Sequence, residues 1–114
     1  MDAWLGMSAA ELGRGIGAGE IDAVALTETY LAAMAEHPDT ARIYSAVTAK
    51  RARAEAGAAA ERAKLGQRRG VLDGVPVSWK DLFDSADVET AAGSRLLAGR
   101  VPARDAEVLH AATA

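Results

Sequence analysis

With 114 residues, half of them apolar and a quarter charged, the chain has the length of one small domain and the composition of a globular rather than a disordered segment. No cysteine is present, which excludes disulfides, thiolate zinc sites and cysteine nucleophiles, and aromatics make up only 4% of residues, so a core must come from Ala, Val, Leu and Ile. The net charge of −3 is unevenly spread: residues 50–69 hold Lys50, Arg51, Arg53, Arg62, Lys64, Arg68 and Arg69 against Glu55 and Glu61, and without an aromatic for base stacking this stretch reads as a solvated helix face, not a nucleic-acid footprint.

The N-terminal MDAWLGMSAAELG has neither the basic flank nor the apolar run of a signal peptide, and no stretch approaches a membrane span. The expectation is a soluble, cytoplasmic chain. Ser8-Ala9-Ala10-Glu11 is a capping box, in which hydroxyl and carboxylate each satisfy the other residue's amide. It opens a short helix carrying Leu12 and Ile16, which the glycines at 13, 15, 17 and 19 are expected to end. Gly13 to Ala18 formally matches the G-x-G-x-x-A dinucleotide fingerprint. That fingerprint needs a preceding strand, and here a helix start precedes it, so the match is rejected. Asp22 is an N-cap for a helix over 23–36, with Ala23, Leu26, Thr27, Tyr30, Leu31 and Met34 on one stripe. His37-Pro38 ends it, because the residue before proline avoids the helical region.

Ile43 to Val47 leans towards a strand, and a third helix is expected over about 48–65. Ala49, Ala52, Ala56, Ala59 and Ala63 line one face of it, opposite Lys50, Arg53, Gly57, Glu61 and Lys64. Asp73-Gly74 is a turn signal. Val75 to Trp79 then alternates as a strand does, with Pro76 placing it at a strand start or on an edge and Lys80 pointing away from the Val77/Trp79 face. Thr90 to Ser94 is a small-residue loop, and Asp105 is expected to cap a last helix from Ala106. Helix–strand alternation of this kind predicts an α/β architecture that continues into further units, so the sequence looks cut rather than finished.

Three runs in order, Gly70-Val71-Leu72-Asp73-Gly74-Val75-Pro76-Val77-Ser78-Trp79-Lys80-Asp81, Thr90-Ala91-Ala92-Gly93-Ser94 and Pro102-Ala103-Arg104-Asp105-Ala106, resemble the N-terminal part of amidase-signature enzymes. That family reads roughly G-P-L-x-G-[IV]-P-[IV]-x-[VA]-K-D, T-T-x-G-S and P-x-x-D-A. Departures are Val71 for the usual proline, Trp79 for a small aliphatic residue and Leu82 for a frequent asparagine. The resemblance implies that residues 1–114 are the N-terminal segment of a single, incomplete α/β/α domain, with helices flanking a mixed sheet. It also implies a Ser–cis-Ser–Lys triad that attacks an amide carbonyl, with Lys80 as the triad lysine.

The chemistry sets its own demands. A free lysine has a pKa near 10.4 and is no base at neutral pH; burial or neighbouring dipoles must lower it to about 7–8. A serine nucleophile must then lie within hydrogen-bond reach. The chain's serines are Ser8, Ser45, Ser78, Ser85 and Ser94, none in the Gly/Ser-rich loop where the family places its pair. Ser78 reads as a structural hydroxyl, and the segment alone is expected to be inactive. Without the resemblance, Lys80 would be a strand-end lysine paired with Asp81 or Asp84, or simply solvated. Trp79 reads as a core residue. His37 and His110 lack a second ligand at metal spacing, so neither a metal nor another cofactor is expected.

The expectation is an amide hydrolase, of the stand-alone kind because Trp79 and Leu82 depart from the commoner motif; the alternatives are the ammonia-releasing subunit of a tRNA-dependent amidotransferase and a non-catalytic truncated product or binding module. The implied partners are a small-molecule amide substrate and the remainder of an amidase chain, with a homodimer open. Neither direct nucleic-acid contact nor a membrane is expected.

Overall fold

A computed structural model describes residues 2–114. In chain order it contains a 3-10 turn at Asp2–Gly6, α1 (Ala9–Gly17), α2 (Ala23–Glu36), α3 (Thr40–Ile43), α4 (Ala49–Lys64), a second 3-10 turn at Arg95–Leu97 and α5 (Glu107–Thr113). The chain divides into two units. One comprises the described residues through Thr40 together with Ala49–Val77, the other Ala41–Thr48 together with Ser78–Ala114.

In the first unit α1 begins at the expected capping box: the Glu11 amide donates to Ser8 Oγ at 3.2 Å, and the Ser8 amide donates to Glu11 Oε2 at 2.7 Å. The helix does not stop at its first glycine. It runs through Gly13 and Gly15, both buried, to Gly17. The reason is steric: a Cβ at residue 13 would collide with the Val71 carbonyl oxygen, so this glycine admits another backbone against the helix. Asp22 caps α2 by accepting from the Ala25 amide at 2.8 Å, and α2 ends at Glu36, before His37-Pro38. Leu26 is fully buried and packs with Leu12, Ile16 and Ile21, while Trp4, Met7, Tyr30, Ala63 and Val75 close over this core.

The alanine stripe does what small side chains permit. Ala56 and Ala59 are buried on α4, which packs on α2. Gly74, at φ +98°, lies where a Cβ would touch Ile16, Ala23 and Ala59. At that φ an L side chain is strained, so the turn requires glycine on both counts. Gly57, by contrast, has open space around it. Gly57→Ala is expected to stabilise the chain by roughly 0.5–1 kcal/mol through helix propensity, read as a higher midpoint of chemical unfolding.

The basic segment is only partly a solvated face. Arg53 pairs with Glu28 at 2.6 Å and Arg51 with Glu55 at 2.8 Å in the open. Arg62 and Arg68 turn inward. Arg62 forks onto both Asp73 carboxylate oxygens at 2.7 and 2.8 Å, and Asp73 also accepts the Arg69 amide at 3.0 Å. Arg68 Nη2 donates to the carbonyls of Gly13, Val71 and Asp73 at 3.0, 3.1 and 3.0 Å. The polar connector is therefore pinned by two guanidinium groups, and Asp73 is a nearly buried anchor rather than an ordinary turn residue.

In the second unit the buried groups are Thr90, Pro102 and Leu109. The Asp87 amide donates to the Pro102 carbonyl and the Thr90 amide to that of Arg100, both at 2.9 Å, tying the two loops together. Asp105 does not cap α5, whose N-cap is Ala106 without a side-chain bond. Its carboxylate accepts instead from the Ala86 amide at 2.8 Å.

No strand forms among the described residues, so the expected α/β arrangement does not appear there: both β-leaning runs are irregular or helical. Residues 40–43 form α3, and Val75 to Trp79 has strand chemistry without a neighbouring strand to bond. A strand is defined by its partner, and alternation alone supplies none. Trp79 is not core either. It is 36% exposed and meets Phe83 edge-on, with ring centroids 6.2 Å apart.

Candidate active site

The sequence directs attention to Lys80, which lies in the second unit at the end of the irregular run. Its side chain is exposed. Its carbonyl closes a tight turn, accepting from the Leu82 amide at 2.7 Å and the Phe83 amide at 3.2 Å. Two residues upstream, Ser78 Oγ lies 2.7 Å from the Tyr44 hydroxyl, which gives Ser78 the structural role expected of it.

The two acids next to Lys80 are both committed elsewhere. Asp81 Oδ1 accepts from the Ala91 amide at 3.2 Å. Asp84 takes the Arg100 guanidinium on both oxygens at 2.7 and 2.8 Å, a pairing that holds its carboxyl below the usual range. The Lys80 ammonium has no hydrogen-bond or ion-pair partner among the described residues. The burial that general-base chemistry demands would have to come from groups other than these.

Opposite the lysine turn stands the loop that begins at Thr90. The Thr90 hydroxyl is buried, donates to the Val88 carbonyl at 3.1 Å and accepts from the Ser85 amide at 3.4 Å. Ala92 and Gly93 follow at φ +52° and +70°, and the Ser94 amide closes the turn onto the Ala91 carbonyl at 2.9 Å. Ser94 Oγ then accepts from the Leu96 amide at 3.2 Å, and Ser8 caps α1, so Ser8, Ser78 and Ser94 all hold structure. A cleft of about 690 Å³ in this unit is lined by Asp84, Arg100, Asp105 and His110 among others, and does not include Lys80. Among the described residues no group of three His, Cys, Asp or Glu side chains could hold a metal ion, and no helix is long and apolar enough to cross a membrane.

Contacts of this region that escaped sequence reasoning include the Asp81 bond to Ala91, the Tyr44–Ser78 pair and the Asp84–Arg100 fork. The first had a signal, since an acid directly following the lysine belongs to the K-D motif. The second had none, because the partners lie 34 residues apart.

A protein-family model described as Amidase matches residues 25–113. The chain is 46% identical over 100 residues to a glutamyl-tRNA(Gln) amidotransferase subunit of Anaeromyxobacter dehalogenans, a match covering 88% of this chain and 20% of that one. It is 40% identical over 104 residues to the protein of the same name from Thermobifida fusca, covering 91% and 21%. With that of Streptomyces coelicolor it shares 35% identity over 102 residues, covering 90% and 20%. The chain thus spans about a fifth of the length of these relatives. No solved structure matches it.

Proposed function

The chain belongs to the amidase family, and from that membership we propose that it is the N-terminal part of an amide-cleaving enzyme in which Lys80 is the lysine of a Ser–cis-Ser–Lys triad. The observation that carries the reading is the placement of Lys80. It is the penultimate residue of the Gly70 to Asp81 motif inside the matched region, on a turn braced from both sides, with its ammonium unclaimed by neighbouring acids.

In the complete protein both serines come from a Gly/Ser-rich segment outside these residues. Lys80 in its neutral form takes a proton, relayed through the bridging serine, from the serine that attacks. The Oγ–C bond forms, donors stabilise the oxyanion, and collapse breaks the C–N bond as the leaving nitrogen takes up a proton. Water then hydrolyses the acyl-enzyme. The Val75 to Trp79 run becomes a strand once the remaining chain supplies a neighbour, which restores the α/β/α architecture. The described residues alone are inactive, and the complete enzyme works in the cytoplasm without a cofactor.

The relatives' shared name favours the amidotransferase form of this chemistry, in which the amide is that of glutamine and the released ammonia serves a tRNA-linked glutamyl group. Trp79 and Leu82, which depart from the commoner motif, favour a stand-alone hydrolase as the second reading.

The test is ammonia release by the intact protein purified from its own cells, its mass recorded, with glutamine and simple aliphatic amides as substrates. Turnover of glutamine supports the first reading, and turnover of other amides alone supports the second. Inertness towards all of them overturns both.

A further inference from the structure

The acid that follows Lys80 has a part of its own. We propose that Asp81 is a positioning residue for Lys80: by accepting the Ala91 amide it locks the lysine turn to the loop at Thr90 and thereby fixes the point from which the ammonium reaches. The inference rests on the reading of Lys80 given above.

A lysine nitrogen hangs on a four-carbon stem, so its position is only as definite as its backbone. The turn at Lys80 has two backbone bonds of its own, both within residues 80–83. These shape the turn without anchoring it to anything else. Of the side chains in that turn, Asp81 makes the bond that leaves it, reaching ten residues along the chain to Ala91. What it grips is firm. Thr90, next to Ala91, is buried and bonded through its amide, its hydroxyl and its carbonyl, the last to Arg100 Nη1 at 3.4 Å. Ala92 and Gly93 then hold a turn with positive φ, which leaves Ala91 little freedom. Asp84 adds a brace further along through Arg100. The bond also turns the Asp81 carboxylate towards an amide rather than towards the ammonium beside it. Misplacing a reacting group by about 1 Å costs on the order of 100-fold in rate, so the loss of this bond should register in turnover.

The test uses the complete protein, with the rate of amide cleavage measured per folded enzyme for Asp81→Ala, Asp81→Asn and Lys80→Ala. Asp81→Ala is expected to lower kcat by about 10- to 100-fold with KM within about threefold of the parent. Asp81→Asn keeps an oxygen acceptor in the same place and is expected to recover most of that loss. The rescue and the split between kcat and KM separate positioning from a general loss of fold. Asp81→Ala at parental kcat, or Asp81→Asn as impaired as Asp81→Ala, overturns the inference while leaving Lys80 in its role. Lys80→Ala at parental activity overturns both.

Discussion

Lys80→Ala is expected to lower amide cleavage by the complete protein by at least roughly 10³-fold and to leave the thermal midpoint of the 114-residue chain unchanged. The two halves of that expectation come from different observations. The Lys80 side chain is exposed and its ammonium has no partner among the described residues, so its removal leaves neither a cavity nor an unpaired buried group. Surface substitutions of this kind stay within about 0.5 kcal/mol. The loss of rate follows from the chemistry: without a base the serine proton has nowhere to go. Lys80→Arg sharpens the test, because it keeps the charge but cannot give it up, and is expected to be as inactive as alanine. Initial rates of ammonia release beside a melting curve decide the matter. An arginine variant with parental activity would show that the lysine serves as a fixed charge and not as a base.

The largest expected effect on stability belongs to Asp73→Ala. The Asp73 side chain is 8% exposed, takes a bidentate Arg62 guanidinium and also accepts the Arg69 amide. Its removal orphans a half-buried cation and frees the connector that follows α4. The cost should be about 3 kcal/mol, a large share of the roughly 5–15 kcal/mol that holds a domain folded. The same contact governs the acid limb of stability. The Arg62 fork is the main cause that holds the Asp73 carboxyl at about 2, against an ordinary 3.8. A carboxyl depressed by folding contributes stability that is fully present above its unfolded value and lost as pH falls towards its folded one. Roughly 2 kcal/mol should therefore disappear between about pH 4 and pH 2. Urea midpoints measured across that range are expected to fall steeply for the parent and more gently for Asp73→Asn. Parallel slopes would remove the Arg62–Asp73 pair from the account.

What could be read from residues alone was whatever depends on near neighbours. The Ser8 capping box, the Asp22 cap and the stop at His37-Pro38 are local devices, and α2 has the expected bounds. The alanine stripe was legible because helical spacing is periodic, and the family because its motif is contiguous. What failed depends on partners elsewhere. Arg62 and Arg68 read as solvated bases because nothing in a basic run says where an aspartate or a row of carbonyls will be. Asp105 read as a helix cap because a carboxylate accepts from any nearby amide, and here the amide is that of Ala86, 19 residues away. Gly13 read as a stop because the sequence does not show the Val71 backbone that lies against it. Val75 to Trp79 read as a strand from its sequence alternation alone, but Val77 and Trp79 are exposed and a ladder takes two strands.

The bond from Arg68 to the Gly13 carbonyl spans 55 positions, and the same guanidinium group holds Val71 and Asp73. This sets an order of events in folding. The capping box lets α1 flicker into existence within microseconds, but its glycine notch has nothing to receive until most of the first unit has been made. Closing so long a loop carries an entropic penalty that grows only with the logarithm of its length. That penalty arrives before the contacts that offset it. The seating of the α1 notch against the connector is therefore expected only after residues 68–73 are made, although Leu12 and Ile16 already find Leu26 once α2 has formed.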